Sequence, residues 1–570
     1  MFPSFRHAMT WLHTWFGLSL GYVLMVCFFF GALSVFDREI DRWALPDTRF
    51  AAQPAPSYDT LLKPVFERLK PHPDDIKATQ DRVIGALPDP DTLPMDALYY
   101  YRTHRDPVLR IGAEFGIPNK LKSASDEHAH AHGWATIDPR TGAVLSESQF
   151  KIGSEFFYPM HYSLNWQWKN IGYWIVALAA LSMLVALISG VVMHRKIFRE
   201  FFTFRPWKTA QRSSLDLHNM AGVAGLPFHF FFAITGLVIF AGWLYFPVST
   251  TLLKPLHDHH EVLEAAHTGL AHEPAGVPAP MASVDAMVLE AKRRWAARDM
   301  PGDVGFLYVN HLGDRNGYVS IFRAGNDQVA LTGQGVHFEA SSGRVIREDP
   351  PPSAVMRVNE FLTGLHLQHF RHWLLRWLYV LGGLLGCVCI ATGFIFFVEK
   401  RKAQHARISS QGSRIVDALA VTAVTGMVIA ALTMLVSNRL FPADMVGKDY
   451  WQKVVFWGGW ALAFVHAALR SAPVAHARIN PAWREQCWVL VALAVAAVML
   501  NWLTTGDHLL KTVFTDTYWP VAGVDLSLLA SAVLAVAVAR LLARRERAQC
   551  RAGSDARQPG VLATAEAGHA

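Results

Sequence analysis

Residues 12–36 read LHTWFGLSLGYVLMVCFFFGALSVF, without a single Lys, Arg, Asp or Glu. A bilayer core takes about 20 apolar residues per helix, so this stretch spells a membrane span. It is too long for a secretory signal and has no small-residue cleavage site before its acidic flank of Asp37, Glu39 and Asp41, so it reads as an anchor that stays. Working outward, charge-poor runs near span length occur at about 9–36, 170–194, 217–246, 377–398, 418–438, 454–469, 486–506 and 519–539. The sixth is short, and the eighth contains Asp525. A hydrophobic fraction of 52% and a mean hydropathy of +0.20 agree with a membrane class.

A net charge of +7 would suit a nucleic-acid partner if it were clustered on one surface, but the cations lie between the apolar runs. Arg195, Lys196, Arg199, Arg205, Lys208 and Arg212 follow span two, and Lys400, Arg401, Lys402, Arg407 and Arg414 follow span four. Arg470, Arg478 and Arg484 follow span six, and the tail runs from Arg540 to Arg557. The positive-inside rule makes these segments cytoplasmic, with both termini inside, lipid as the partner of the basic tail, and no nucleic acid. Cys27, Cys387, Cys389, Cys487 and Cys550 all avoid the exported segments, so no disulfide framework is implied.

The chain repeats itself. LHTWFG at 12–17 returns as LHNMAG at 217–222, placing His13 and His218 205 positions apart, and Gly17 with Gly222 and Gly31 with Gly236 keep that offset. The plain reading of these glycines is helix packing. ATIDPRTGAVLSE at 135–147 resembles VHFEASSGRVIRE at 336–348, each a strand, a turn with Gly and a strand. Helical patterns precede them at 58–70 and 283–296, the latter with Ser283 as N-cap, and β-like runs lie at 97–102 and 317–323. MHYSLNW at 160–166 and LHLQHFR at 365–371 put His161 and His366 205 apart as well.

The expected fold is a polytopic α-helical membrane protein of about eight spans with two small exported α+β domains. The first span occupies 1–40, the first exported domain 41–157, and the second span with its interfacial lead 158–196. A basic loop at 197–214, span three at 215–248, the second exported domain at 249–360 and span four at 361–400 complete the repeat. A basic loop at 401–414, four further spans at 415–541 and a tail at 542–570, expected to be disordered, follow.

Ionisable residues inside a membrane are costly and invite a functional reading. His13 and His218 fall near the cytoplasmic ends of spans one and three, His161 and His366 at the outer ends of spans two and four. Imidazole is an axial ligand of haem iron, and a b-type haem takes one from each of two facing helices. Two such pairs would hold two haems and form an electron path across the membrane. A lone interfacial His more often snorkels or hydrogen-bonds, but a repeat that reproduces both positions favours the ligand reading for the four. His229, 11 residues beyond His218, could replace one ligand or hydrogen-bond a substrate or propionate, and His369 or His372 could stand in for His366. His194 reads as a plain interfacial residue. Exported clusters at His128, His130 and His132 and at His257, His259 and His260 could bind metal, though solvated loops are the commoner outcome. Asp507, His508 and Asp525 are weaker candidates for a proton relay. No phosphate loop, dinucleotide fingerprint, nucleophile motif or HExxH occurs at a credible position.

LHTWFG with GALSVF, the exported α+β units, MHYSL, LHNMAG with LPFHFFFAITG, and LHLQHF together resemble the PepSY-associated transmembrane proteins, iron-regulated membrane proteins that include bacterial ferric-siderophore reductases. The resemblance covers roughly 9–400. It implies a bacterial inner-membrane protein with PepSY-like periplasmic domains, two b-type haems and reduction of a ferric siderophore or other iron chelate, the donor being unknown. Carried onto this sequence, His13 and His218 would hold the inner haem and His161 and His366 the outer one. The four additional spans depart from simpler members. A transporter of iron, siderophore or another solute and a non-enzymatic regulator are the competing readings; repeated histidine pairs at both faces favour the oxidoreductase.

Overall fold

The computed structural model describes residues 4–53, 57–62, 69–81, 83–102, 105–122, 129–145, 151–166, 168–194, 197–200, 202–206, 208–241, 268–271, 273–331, 333–408, 411–471 and 480–555. In chain order the helices used below are α1 (Phe5–Ser19), α2 (Gly21–Ser34), α3 (Asp37–Ala44), α4 (Tyr158–Ser163), α5 (Ile171–Met193), α6 (Ala210–Ala224), α7 (Leu226–Phe240) and α8 (Val284–Ala297). They continue with α9 (Ala354–Leu367), α10 (Trp373–Ile408), α11 (Gln411–Val421), α12 (Met427–Leu440), α13 (Lys448–Arg470), α14 (Ala482–Thr505) and α15 (Trp519–Asp555). The strands are β1 (Met95–Tyr101), β2 (Leu109–Gly116), β3 (His130–Ile137), β4 (Val144–Leu145), β5 (Val304–Asn310), β6 (Tyr318–Arg323), β7 (Gly335–Glu339) and β8 (Val345–Glu348). The chain forms two compact units, one from 1–46, 148–233 and 377–570, the other from 47–147 and 234–376.

The chain is a polytopic helical membrane protein. Among the described residues five helices are long and apolar enough to cross a bilayer, and seven crossings result if the bent pairs α1–α2 and α6–α7 each count as one. Spans one and three are therefore not straight rods: they bend by 60° and 62° at Leu20 and Gly225, again 205 positions apart. Both hinge residues sit near ψ −7 to −8°. Pro227, in the first turn of α7, has no N–H to continue the helix. In the first span Ser19 Oγ donates back to Trp15 O at 2.7 Å, a bond that tends to bend helices. The sixth expected span, 454–469, falls in α13, whose opening turn and a half carries Lys448, Asp449 and Lys453 and shortens its apolar run. α13 nevertheless packs against α11, the π-turn Thr422–Gly426 and α12 in succession, along the whole of its neighbour.

The C-terminal helices α11 to α15 are woven into the first unit rather than appended to it. The segment 414–440 is the most buried of the candidate spans. Phe456 on α13 meets Phe30 of α2 at 6.0 Å and Phe156 at 4.8 Å between ring centroids. Trp43 of α3 donates its indole N–H to Asp525 Oδ1 of α15 at 2.7 Å, and Asn501 of α14 donates to Asp525 Oδ2 at 3.1 Å.

The strands of the two expected α+β domains join in the second unit into one antiparallel sheet in the order β4-β3-β2-β1-β5-β6-β7-β8. Each half contributes four strands, and they meet where β1 pairs with β5, Tyr99 opposite Tyr308 and Tyr101 opposite Phe306. Pairing satisfies an edge that each half alone would leave open. Leu98, Tyr100, Leu307, Val309, Ile321 and Phe338 face a core closed by Met287, Ala291 and Trp295 of α8 and by Tyr58, Leu61 and Leu62. Ser283 caps α8, its Oγ accepting from Ala286 N. Because strand side chains alternate, Tyr99, Tyr101, Phe306, Tyr308 and Phe322 project from the opposite face as half-buried rings. His130 and His132, expected in a loop, lie on β3 beside carboxylates, His130 with Asp96 at 3.8 Å and His132 with Asp75 at 3.2 Å. His128, His257, His259 and His260 lie outside the described residues, and among the described residues no group of three ligands is placed to hold a metal ion.

Candidate functional site

The bends at Leu20 and Gly225 open a cavity of about 710 Å³ in the first unit, within the size range of cofactor sites. His13 from α1 and His218 from α6 both line it, their ring centroids 6.0 Å apart at 84°. Two imidazole nitrogens each about 2 Å from one metal ion would set their ring centroids about 6 Å apart, so the pair has the separation of ligands to a shared ion. His13 Nδ1–H donates to Ala186 O of α5 at 2.9 Å, and His218 Nδ1–H to Cys389 O of α10 at 2.7 Å. These bonds select the tautomer whose ligating nitrogen is Nε2, the usual outer-sphere arrangement of a metal-bound histidine.

Each acceptor carbonyl sits in a small motif that the sequence reading passed over. Ala186 O also accepts from Ser189 Oγ at 3.1 Å, and Cys389 O from Thr392 Oγ1 at 3.0 Å. Gly190 and Gly393 follow, and a Cβ on either would lie 3.2–3.3 Å from the imidazole of His13 or His218. ALISG at 186–190 and CIATG at 389–393 thus seat the two rings alike. Their offset is 203 rather than 205, which takes them out of the register of the repeat, and small residues in a span read as packing.

His229 lines the same cavity but turns Nε2 onto Gly382 O at 3.2 Å and stacks edge-on against Phe28 at 5.1 Å. Its place is beside the pair, not in it. His194, Arg6, Lys400 and Arg401 also line the cavity. On α4, His161 Nδ1–H donates to Cys27 O at 2.8 Å, and its ring packs against Gly31, where a Cβ would come within 2.7 Å of Nδ1. His366, near the end of α9, is hydrogen-bonded through Nδ1 to Thr235 Oγ1 at 2.8 Å and packs against Gly236. Gly31 and Gly236 therefore make room for imidazole, whereas Gly17 has nothing within 4 Å. His161 belongs to the first unit and His366 to the second. His369 lines a different pocket, and His372 accepts at its backbone carbonyl from Arg376 N. Asp507 pairs with Lys511 at 2.7 Å, and Asp525 is taken up by Trp43 and Asn501.

Residues 10–400, the part that contains both histidine pairs and the whole sheet, match the family described as the PepSY-associated TM region. The chain belongs to that family. It is also similar to the uncharacterized protein PA4219 of Pseudomonas aeruginosa, 26% identical over 393 residues that make up 65% of this chain and 90% of the relative. The family match ends near residue 400, in α10, so α11 to α15 of this PepSY-associated protein lie beyond the matched region.

Proposed function

We propose that this protein carries electrons across the bacterial inner membrane by way of two b-type haems and reduces a ferric chelate, such as a siderophore complex, on the outer side. The observation that carries the reading is the pair His13 and His218, 6.0 Å apart in a 710 Å³ cavity with both Nδ1–H groups held by backbone carbonyls. In this reading His13 and His218 ligate the inner haem, His161 and His366 the outer one, and α13 crosses the membrane to make eight spans with both termini inside. Held between two histidines, a haem would supply a one-electron couple, the chemistry that electron transfer needs. Arg6, Lys400 and Arg401 line the same cavity and would pair with propionate carboxylates. Ala186 and Cys389 carbonyls orient the imidazoles, and Gly31 and Gly236 keep the space beside His161 and His366 clear. One electron per iron, drawn from a quinol or a cytoplasmic reductant, converts Fe(III), held tightly by hard oxygen ligands, to loosely held Fe(II).

The test is a dithionite-reduced minus oxidised absorption spectrum of the purified protein beside His218→Ala and His161→Ala. Sharp b-type α and Soret bands, reduced in each variant, are expected. A featureless spectrum after haem-supplemented expression would overturn the reading and move the weight to solute transport.

A further inference from the structure

Helix α9 docks on the second unit by one side alone. Gly364 lies so close to Val329 O that there is no room for a Cβ, and Leu331 N donates to Glu360 O at 3.0 Å. The side through Glu360 and Gly364 therefore rests on the loop 329–331. At about 100° of turn per residue, Val355, Val358, Leu362 and Leu365 fall on the opposite side, one apolar stripe at i, i+3, i+7 and i+10. Arg357 and Glu360 keep to the docked side. Val355 is 81% exposed and Val358 59%, with Phe361, beside the stripe, at 47%.

Three observations say what covers this stripe. The 205-residue repeat equates Leu362 with Phe157 and Leu365 with Met160. Both counterparts are 1% exposed, and Phe157 lies 5.3 Å from Phe30 of α2 between ring centroids, so in the first repeat the same stripe is sunk among spanning helices. Next, only five residues separate Leu367 from Trp373, where the span 373–401 begins, a stretch that reaches at most about 20 Å. Last, Trp373 is 66% exposed at that end of the span, and exposed Trp gathers at the headgroup level of a bilayer. We propose that α9 lies in the boundary between headgroups and acyl chains, with its stripe of Val355, Val358, Leu362 and Leu365 covered by lipid. Leu365 adjoins His366, whose Nδ1 is bonded to Thr235 Oγ1 at 2.8 Å, so the lipid seat sets the depth of that histidine. The inference needs only a membrane protein and stands apart from the haems.

The test is spin-label accessibility on the full-length protein in nanodiscs of phosphatidylethanolamine and phosphatidylglycerol. Nitroxides are attached at Val355→Cys and Val358→Cys, and for comparison at Leu289→Cys, a site 71% exposed on α8. Cys550 is replaced by Ser and the signal of that background is subtracted, Cys27, Cys387 and Cys487 being buried. Collision with O₂, which concentrates among acyl chains, is expected to exceed collision with a water-soluble nickel chelate several-fold at 355 and 358, and the ratio to reverse at 289. The same ratio at all three sites would mean that the stripe faces water and would overturn the proposal. Labels at 355 and 358 that are immobile and shielded from both agents would mean that a second copy or another protein covers the stripe, and would overturn it too. Should Val358→Cys not fold, the more exposed Val355 decides alone.

Discussion

Thr392 and Ser189 each share a carbonyl with an imidazole N–H, and that competition has a measurable sign. Each hydroxyl bonds the preceding carbonyl more closely, Val185 O or Val388 O at 2.6 Å, but without it Cys389 O or Ala186 O loses a competing donor, the histidine bond strengthens, the imidazole gains basicity, and oxidised iron is favoured. Thr392→Val and Ser189→Ala should therefore lower the midpoint potential of the proposed inner haem, by about threefold in the reduced-to-oxidised ratio, or about 28 mV for a one-electron couple at about 59 mV per tenfold. A spectroelectrochemical titration in which neither variant moves would remove this role. The glycines give a second test. Gly31→Ala places a Cβ 2.7 Å from His161 Nδ1 and should diminish the haem bands, whereas Gly458→Ala, on α13 with open space around it and outside the cavity lining, should leave the spectrum intact. A spectrum that responds equally to both would mean that Gly31 only packs helices. The histidines were legible in the sequence because one offset recurs across four positions. Their seats were not, because a hydroxyl and a glycine side by side on a different helix carry no signal until that helix is known to be the neighbour.

The seam between β1 and β5 is held by backbone pairing and also by Asp96 of β1, whose Oδ1 lies 3.5 Å from His311 Nδ1 just beyond β5. Burial works against a charged His311, but the contact with Asp96 and its negative charge outweigh it and hold the imidazole above its usual 6.5. The contact with His311, against the effect of burial, holds Asp96 below 3.8. A raised histidine contributes stability below its unfolded value that is lost as pH rises through the folded one; a lowered carboxylate contributes stability that is lost as pH falls below its usual range. The seam should therefore be firmest between about pH 4 and 6.5. Part of the fall in unfolding temperature between about pH 6 and 9 should vanish in Asp96→Asn, and an unchanged slope in that variant would remove the pair from the account. Strand positions and the Ser283 cap were readable from alternation and spacing. Neighbours were not, since alternation says which face a residue takes and nothing about which strand lies beside it. The bends were hidden as well: Pro227 marks one, but the first span has no proline at Leu20.

For the molecule as a whole, the C-terminal helices matter through a few buried polar bonds. Asp525, 1% exposed, accepts from Trp43 and Asn501, so Asp525→Ala leaves two buried donors unpaired at about 1–3 kcal/mol each. Thermal unfolding in detergent should show a larger loss for Asp525→Ala than for Asp525→Asn, and Trp43→Phe combined with Asp525→Ala should cost less than the sum of the two. Strict additivity would show that the indole and the carboxylate act independently. Eight apolar runs were visible in the sequence, yet their weaving was not, because a Trp at 43 and an Asp at 525 are joined only by the fold. The single sheet also has a consequence for synthesis. β1 ends at Tyr101 and its partner β5 begins at Val304, with two complete spans between them. At about 5–20 residues per second, the ribosome delivers the partner strand some 10–40 s after the first, and for that time the growing chain presents an unpaired edge that must be kept from other nascent chains.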